Sequence, residues 1–287
     1  VYKRQILDRN NPLPARVMVN RIWLHHFGRG LVATPNDFGK QGKPPTHPEL
    51  LDWLASRFIR EGWSVKKMHR LIMLSHTYRL SGEKSSEMSL HDPNNELLGA
   101  FPRRRLDAEA IRDSLLFLGG SLDETPGGAH PFPAQEEWKF TQHNPFKAVY
   151  ESNKRSIYLM TQRIQRHPYL AIFDGADPSV STAFRSASTT PLQALYLLND
   201  SLVHEQARGL AVRLLKEKKE DSRLQLAYSL VFSRPADRDE IVQGRSFLNA
   251  LRAGFQESGV TDDKIEMDVW QAFARVLFRL NEFVYLD

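Results

Sequence analysis

Cysteine is missing altogether from this chain of 287 residues. Without thiols, these residues can form no disulfide, no Cys-ligated zinc site, no iron–sulfur cluster and no covalently attached c-type haem. No run of about 18 apolar residues occurs, which is the length that a membrane-spanning helix needs, so no membrane span is expected. Glycine and proline number 16 each, an ordinary level that excludes a low-complexity chain.

Positive charge is in slight excess and is concentrated in the first part of the chain. The net charge is +5; residues 1–118 carry 19 Lys and Arg against 12 Asp and Glu, whereas residues 119–287 carry 20 against 22. A basic surface suits an anionic polysaccharide or an acidic protein partner. The longest basic run is Arg103-Arg104-Arg105. The clustered stripe typical of nucleic-acid binding is therefore missing, and no nucleic-acid partner is expected.

Helical periodicity predicts a mainly α, bundle-like domain with an irregular, partly β middle segment. Periodic apolar segments indicate an N-terminal helical half over residues 1–118 and a C-terminal helical half over residues 188–287. Residues 119–187 are interrupted by glycine and proline, and Ser156–Thr161 is the predicted strand. We expect these three parts to form one compact domain, with more than half of the residues in helices and any sheet confined to residues 120–185.

Capping residues mark the predicted helix starts. Ser64 and Asp107 each precede a periodic segment, and Thr46 has Glu49 three residues later, the spacing of a capping box. Asp92-Pro93 predicts a short helix toward Ala100. Two further starts of the same kind are predicted at Thr190 and Asp237.

The segment Leu13–Phe27 predicts a helix that is apolar on almost all sides, as central core helices are. Asn20, Arg21 and His26 in this helix then need internal partners, because an unpaired buried polar group costs about 1–3 kcal/mol. We expect those partners to come from the loop Gly28–Gly39 and from the helical segment Arg103–Arg112.

Two sets of candidate functional residues follow from residue type and position. Glu109 and Asp113 share a helical face with arginines, a pattern more typical of a salt-bridge lattice than of an acid–base pair, because nearby arginines keep carboxylates ionised. The catalytic candidates are Asn20, His26, Asp37 and Glu109. The ligand-binding candidates are Arg21, Arg105, Arg112 and Arg185.

Histidine spacing does not predict a metal site. The adjacent His25 and His26 diverge by about 100° on a helix, and no His-Glu-x-x-His motif is present. If distant segments did assemble a site, His25, His26, Asp37 and His47 would be the ligands. We expect neither a metal nor a cofactor in this chain.

Several long motifs resemble one family. Residues 11–39 read NPLPARVMVNRIWLHHFGRGLVATPNDFG and lead into PPTHPELLDWLASRFIREGWSVKKMHRLIMLSHTYR, which ends at Arg79. They resemble the planctomycete C-terminal domain of unknown function numbered fifteen-fifty-three. Further matching motifs are RRRLDAEAIRDSLL at Arg103–Leu116, STTPLQALYLLND at Ser188–Asp200, SRPADRDEI at Ser233–Ile241 and LNEFVYLD at Leu280–Asp287.

The resemblance implies a context rather than a reaction. Proteins of this family are generally exported, often carry an upstream c-type haem domain, and are associated with sulfated-polysaccharide catabolism. The family supplies no established catalytic residues. The chain, which begins at Val1 without methionine, is therefore expected to be a piece of a longer, extracytoplasmic protein whose upstream domains are its first partners.

Three functions remain open at this point. The first is a scaffold or partner-contact domain of an exported, cytochrome c-associated protein. The second is an enzyme domain in polysaccharide catabolism that passes electrons to an upstream haem. The third is a module that binds anionic glycans through the basic N-terminal half.

Overall fold

Helices account for most of the regular structure. The computed structural model describes residues 1–8, 10–128, 136, 149–163, 165–258 and 262–286. Helices make up 56% of this part of the chain, so the expected mainly α fold is confirmed. No helix within it combines the length and the apolar character needed to cross a bilayer.

Packing divides the chain into two compact units, residues 1–104 and residues 105–286. The first unit has five helices among its described residues, with a 3-10 turn at Thr77–Arg79 between the fourth and the fifth. The helices are α1 (Tyr2–Leu7), α2 (Leu13–Phe27), α3 (Pro48–Arg60), α4 (Val65–Met73) and α5 (Ser86–His91).

Helix α2 is the centre of the first unit and packs on α3 and α4. Ala15 and Val19 are completely buried, and Trp23 stacks on Phe27 with ring centroids 4.2 Å apart. The helix ends at Gly28, whose φ of +75° is a left-handed conformation that glycine adopts without steric cost. The all-round apolar pattern therefore leads to a core helix, as expected.

The connection between α3 and α4 is a Schellman motif. Trp63 donates its backbone N–H to the carbonyl of Phe58, and Gly62 donates to Ile59. The rings of Trp63 and Phe58 meet edge to face at 5.1 Å, the apolar contact that accompanies this motif. Ser64 then caps α4 by accepting the N–H of Lys67, so this predicted start is confirmed.

The second unit holds the other helices of the described part, a short sheet and a 3-10 turn at Ser156–Tyr158. Its strands are β1 (Arg104–Arg105), of which Arg105 belongs to this unit, and β2 (Tyr285–Leu286). Its helices are α6 (Ala108–Gly119), α7 (Pro168–Ile172), α8 (Pro191–Asn199), α9 (Ser201–Leu214), α10 (Glu220–Phe232), α11 (Arg238–Glu257), α12 (Asp262–Leu277) and α13 (Asn281–Val284).

Helix α9 is the centre of the second unit and packs on both α12 and α6. Trp270 and Phe278 are fully buried in this core. Helices α6 and α9 approach each other through glycines: a Cβ added to Gly209 would lie 2.2 Å from the carbonyl oxygen of Gly119. Helix α6 packs on α9 and belongs to the second unit, which begins at Arg105. The three expected parts, residues 1–118, 119–187 and 188–287, stay a prediction.

The helix expected from Asp92 to Ala100 does not form. Asp92 instead uses its carboxylate to accept the backbone N–H groups of Glu96 and Leu97. Asn95 and Leu98 have φ values of +52° and +57°, which a right-handed helix does not permit. The segment is therefore a series of turns.

The strand expected at Ser156–Thr161 is also wrong, since Ser156–Tyr158 forms the 3-10 turn. Asp113 of α6 accepts both the backbone N–H and the hydroxyl of Ser156, which holds the turn against the helix. The two-stranded sheet lies outside residues 120–185. Within that range the described residues contain one isolated bridge, between Asp123 and Lys154.

Candidate functional site

Asn20 holds the loop that follows α2. Its Nδ2 donates to the carbonyl oxygen of Val32 at 3.0 Å, and its Oδ1 accepts the N–H of Val32 at 2.8 Å. The side chain is completely buried. The loop approaches so closely that a Cβ on Gly30 would lie 2.7 Å from Nδ2 of Asn20. The expectation that this amide binds the loop Gly28–Gly39 is confirmed, and its polar atoms are occupied there.

Arg21 and Asp37 also make contacts in this loop but do not meet each other. Arg21 is exposed and donates to Oδ1 of Asn36 at 3.1 Å. Asp37 accepts the N–H of Gly39 at 2.8 Å, and its carbonyl accepts the hydroxyl of Thr34. Asp37 therefore stabilises a turn within the loop.

His26 pairs with His69 on α4, a partner that the sequence did not indicate. Its Nε2 lies 2.7 Å from Nδ1 of His69 on α4, so one ring nitrogen donates a hydrogen bond to the other. The ring of Tyr78 meets His26 edge to face at 5.4 Å. Burial, which has the largest effect, acts together with the electrostatic influence of His69, Arg104 and His25 to lower the pKa of His26 to about 4. The expected partners from Gly28–Gly39 or Arg103–Arg112 are therefore wrong for this residue, which is neutral at pH 7.

The four residues nominated as metal ligands remain separate. His25 is exposed, His26 faces His69, and Nδ1 of His47 lies 3.0 Å from the hydroxyl of Thr46. Asp37 is occupied within its own loop. Among the residues that the structure describes, no group of three potential ligands could hold a metal ion.

Arg112 on α6 anchors an irregular segment of the second unit. Its guanidinium donates to the carbonyl oxygens of Ser152 and Lys154 and to the hydroxyl of Ser156. Burial lowers the pKa of this group, which is 7% exposed, while Asp113 raises it. The ligand-binding candidate Arg112 thus binds three acceptors within the chain.

Glu109 and Arg185 form a bidentate ion pair. The two guanidinium nitrogens Nη1 and Nη2 lie 2.5 Å and 3.0 Å from the two carboxylate oxygens. Burial opposes ionisation of Glu109, but the hydrogen bonds from Arg185 outweigh it and lower the pKa of the carboxyl group. A general acid would need a raised pKa, so the salt-bridge interpretation of Glu109 is the one that the geometry favours.

Arg105 begins a buried polar network. Its Nη1 donates to the carbonyl oxygen of Ser188 and, at 2.8 Å, to Oε1 of Gln193 on α8, while Asp174 lies 3.9 Å away. Asp174 accepts both the backbone N–H and the hydroxyl of Ser188. It has a φ of +60°, a left-handed conformation that aspartate adopts more readily than most residues. The ring of Phe173 lies 5.6 Å below the guanidinium carbon of Arg105.

This network borders a cavity of the second unit. The cavity has a volume of about 430 Å³ and lies between α8, the end of α12, α13 and β2. Its apolar lining comprises Ala194, Leu197, Val276, Leu280 and Val284. Its polar lining includes Arg105, Thr189, Gln193, Arg279, Asn281 and Tyr285.

An ion-pair cluster fixes one wall of this cavity. Arg234 binds both carboxylate oxygens of Glu282 on α13, at 2.6 Å and 2.7 Å, and both oxygens of Glu240 on α11. Glu240 also closes the capping box of α11 with Asp237, which confirms that predicted start. Helix α13 is therefore tied to a long helix, and its cavity-lining residues have fixed positions.

Sequence reasoning nominated Arg105 but missed Gln193 and Arg279. Gln193 is the buried polar residue of the largely apolar helix PLQALYLLN. A glutamine among apolar residues was the sequence signal that could have indicated a buried hydrogen-bonding role. Arg279 follows α12 without a motif around it, so no local pattern distinguishes it. Of the nominated residues, Asn20, Arg21, His26 and Asp37 belong to the first unit, while Arg105, Glu109, Arg112 and Arg185 belong to the second.

The fold and the sites define a mainly α protein. In its first unit Asn20 holds the loop after α2, and its second unit contains a largely apolar cavity. A family model described as protein of unknown function (DUF1553), labelled PSD1, matches residues 3–248. The chain belongs to this family. The matched range ends before the LNEFVYLD motif at Leu280–Asp287. No curated protein and no solved structure matches the chain.

Proposed function

We propose that this chain is a partner-contact domain of an exported, cytochrome c-associated bacterial protein. The family resemblance supports the extracytoplasmic location, the planctomycete setting and the upstream haem domain. The structure adds a surface to this proposal, because one helix of the second unit presents apolar side chains to water.

The observation that carries the proposal is the burial pattern of α8. Gln193 is 3% exposed, whereas Leu192 and Leu195 are 63% and 51% exposed. At about 100° per residue, Leu192 and Leu195 share one side of the helix, roughly opposite to Ala194 and Leu197. An isolated exposed leucine is ordinary, but two on one face of an otherwise apolar helix are typical of a surface that a partner covers.

The contacts of the nominated polar residues support a structural rather than a catalytic role. Each of the eight forms a hydrogen bond or an ion pair within this chain, as described above. Arg112 and Asn20 hold backbone atoms of irregular segments, and Glu109 holds Arg185. The enzyme alternative, acting in polysaccharide catabolism with an upstream haem as electron acceptor, has no converging set of described candidates in its favour.

The partner of the α8 face is proposed to be the upstream portion of the same parent protein. The test uses this chain and the separately expressed upstream portion, with binding measured by isothermal titration calorimetry. In the double variant Leu192→Asn/Leu195→Asn we expect at least tenfold weaker binding and an unchanged melting temperature. A matched control is Leu90→Asn/Leu97→Asn, which removes two leucines of the first unit that are 77% and 73% exposed.

Two results would reject this proposal. One is that the upstream portion does not bind the unaltered chain. The other is that the α8 variant and the control variant bind it equally well.

Binding of an anionic glycan is a second candidate, favoured by one observation on α3. The indole of Trp53 is 46% exposed, and the guanidinium of Arg57, which is ion-paired with Glu61, lies 5.7 Å from its centre. The exposed Arg60 follows one turn later and adds positive charge. An aromatic ring beside positive charge can stack on a sugar and attract its sulfate group. Titration with dextran sulfate should quench tryptophan fluorescence in the unaltered chain and bind at least tenfold more weakly to Trp53→Ala. Equal affinity for the variant would reject this candidate.

A further inference from the structure

The cavity of the second unit has the size and lining of a small-molecule site. Its volume of about 430 Å³ lies within the range of about 300–1,000 Å³ that is typical of such sites. Leu197, Val276 and Val284 give it apolar walls. Three of its lining residues, Ala194, Arg279 and Leu280, are solvent-exposed, so the cavity lies at the protein surface.

The charges at the cavity have one sign. Arg105 and Arg279 are both among the described lining residues, and none of these residues carries a carboxylate. The charge of Arg105 is partly balanced by Asp174 at 3.9 Å, and its Nη1 is already bonded to Gln193. Arg279 is exposed, and in the described part of the chain no acidic side chain forms an ion pair with it. Arg279 is therefore the cation that a ligand would neutralise.

Hydroxyl groups lie at the same cavity. Oγ1 of Thr189 and the phenol oxygen of Tyr285 are 3.2 Å apart. Glu282 lies on the adjoining helix α13, but both of its oxygens are bonded to Arg234, so it does not compete for Arg279.

We propose that this cavity binds a small carboxylic acid with a compact apolar body, either an aliphatic ring or an aromatic ring. The carboxylate pairs with Arg279, and the hydroxyl groups of Thr189 and Tyr285 belong to the same lining. The ring occupies the apolar walls formed by α8 and the end of α12. This site lies on the side of α8 opposite to Leu192 and Leu195, so it is separate from the proposed docking face.

The test is calorimetric titration of the chain with cyclohexanecarboxylate and benzoate. The matched probes are cyclohexanemethanol, which has the ring without the charge, and acetate, which has the charge without the ring. We expect saturable binding of at least one cyclic acid, and at least tenfold weaker binding of both matched probes. The affinity should fall as salt is added, because Arg279 is exposed and its field is screened.

Two variants assign the binding to this cavity. Arg279→Gln removes the charge and should weaken binding at least tenfold; its control is Arg208→Gln, which changes an exposed arginine on α9. Ala194→Trp fills the cavity and should abolish binding; its control is Ala253→Trp at an exposed position on α11. Both controls should bind like the unaltered chain. If Ala194→Trp does not fold, the surface substitution Arg279→Gln still decides the result.

Several outcomes would overturn the proposal. These are no saturable binding of either acid, equal affinity for cyclohexanemethanol, or unchanged affinity in Arg279→Gln. The double variant Leu192→Asn/Leu195→Asn should retain acid binding, so failure of the docking proposal and failure of this one are distinguishable.

Discussion

In the first unit one buried amide, Asn20, binds both backbone atoms of a single loop residue, whereas in the second unit two guanidinium groups each gather several acceptors. Arg112 binds two carbonyl oxygens and a hydroxyl, and Arg105 binds a carbonyl oxygen and the amide of Gln193. An amide offers one acceptor oxygen and two donor hydrogens, which suits one peptide group. Arginine offers five donors, which suits a segment whose carbonyl groups lack regular partners.

The difference explains where irregular backbone is found in each unit. The loop after α2 approaches its helix so closely that Gly30 leaves no space for a side chain, and a short neutral amide fits there. The segment around Ser152–Ser156 contains several backbone groups outside helices, and a long charged side chain reaches them from α6. A buried guanidinium group can hold a segment in this way only when it is hydrogen-bonded, because an unpaired buried charge costs free energy.

The largest expected effect tests the amide in the first unit. Asn20→Leu leaves both backbone groups of Val32 without partners, so we expect the free energy of unfolding to fall by roughly 2–6 kcal/mol, at about 1–3 kcal/mol for each group. The control is Arg21→Met, an exposed position on the same helix, where we expect a change within about 0.5 kcal/mol. Urea denaturation measures both. Equal losses in the two variants would contradict the assigned role of Asn20.

A smaller effect tests helix packing in the second unit. Gly209→Ala places a methyl group 2.2 Å from the carbonyl oxygen of Gly119, so α6 and α9 must separate. Overpacking of this kind costs about 1–3 kcal/mol. Gly254→Ala on α11 is the matched control, because a Cβ there meets no atom within 4 Å and alanine favours the helix. Thermal denaturation should show a lower midpoint for the first variant and an equal or higher midpoint for the second.

The smallest effect is a pH dependence that belongs to the first unit. Burial first, and then the neighbouring groups His69, Arg104 and His25, lower the pKa of His26 to about 4 from 6.5. The unfolded chain therefore takes up this proton more readily, so the contribution to stability is complete above about pH 6.5 and is lost as pH falls toward 4.

We expect His26 to account for a loss of about 1 kcal/mol over this pH range, since each pKa unit corresponds to about 1.4 kcal/mol and solvent screens part of it. Urea denaturation between pH 7 and pH 4.5 should give a flatter stability profile for His26→Gln. His91→Gln, at an exposed position on α5 that does not influence the pKa of His26, should keep the slope of the unaltered chain. A His26→Gln profile as steep as that of the unaltered chain would show that another group controls the effect.

The capping motifs in the sequence predicted most helix starts correctly. Thr190 and Gln193 form the capping box that their spacing predicts, and Asp237 with Glu240 does the same. Thr46 and Glu49 have an equally good pattern, yet α3 begins one residue later and its N-cap is His47. Thr46 instead donates its backbone N–H to the carbonyl oxygen of Leu31. This bond to the loop places Thr46 outside the helix, so Thr46 does not act as the N-cap.

The expected partner was correct for Asn20 and wrong for His26. Asn20 meets the loop that the apolar character of α2 led us to expect, because an internal amide must bind the nearest backbone. His26 binds His69, which is 43 residues away, and periodicity carries no signal for such a pair. Arg105 was nominated for its charge, but the cavity beside it includes Arg279 and Tyr285, which only folding brings near.

The sequence by itself determined the mainly α class, most helices and the absence of thiol chemistry, because caps, apolar periodicity and composition act over a few residues. Tertiary structure alone decided the division at Arg104 and Arg105, the close contact of Gly119 with Gly209, and the cavity between α8 and α12. It also replaced the expected strand at Ser156–Thr161 by a turn. The physical reason is that these features depend on contacts between segments far apart in the chain, whose energies exceed the local preferences of either segment.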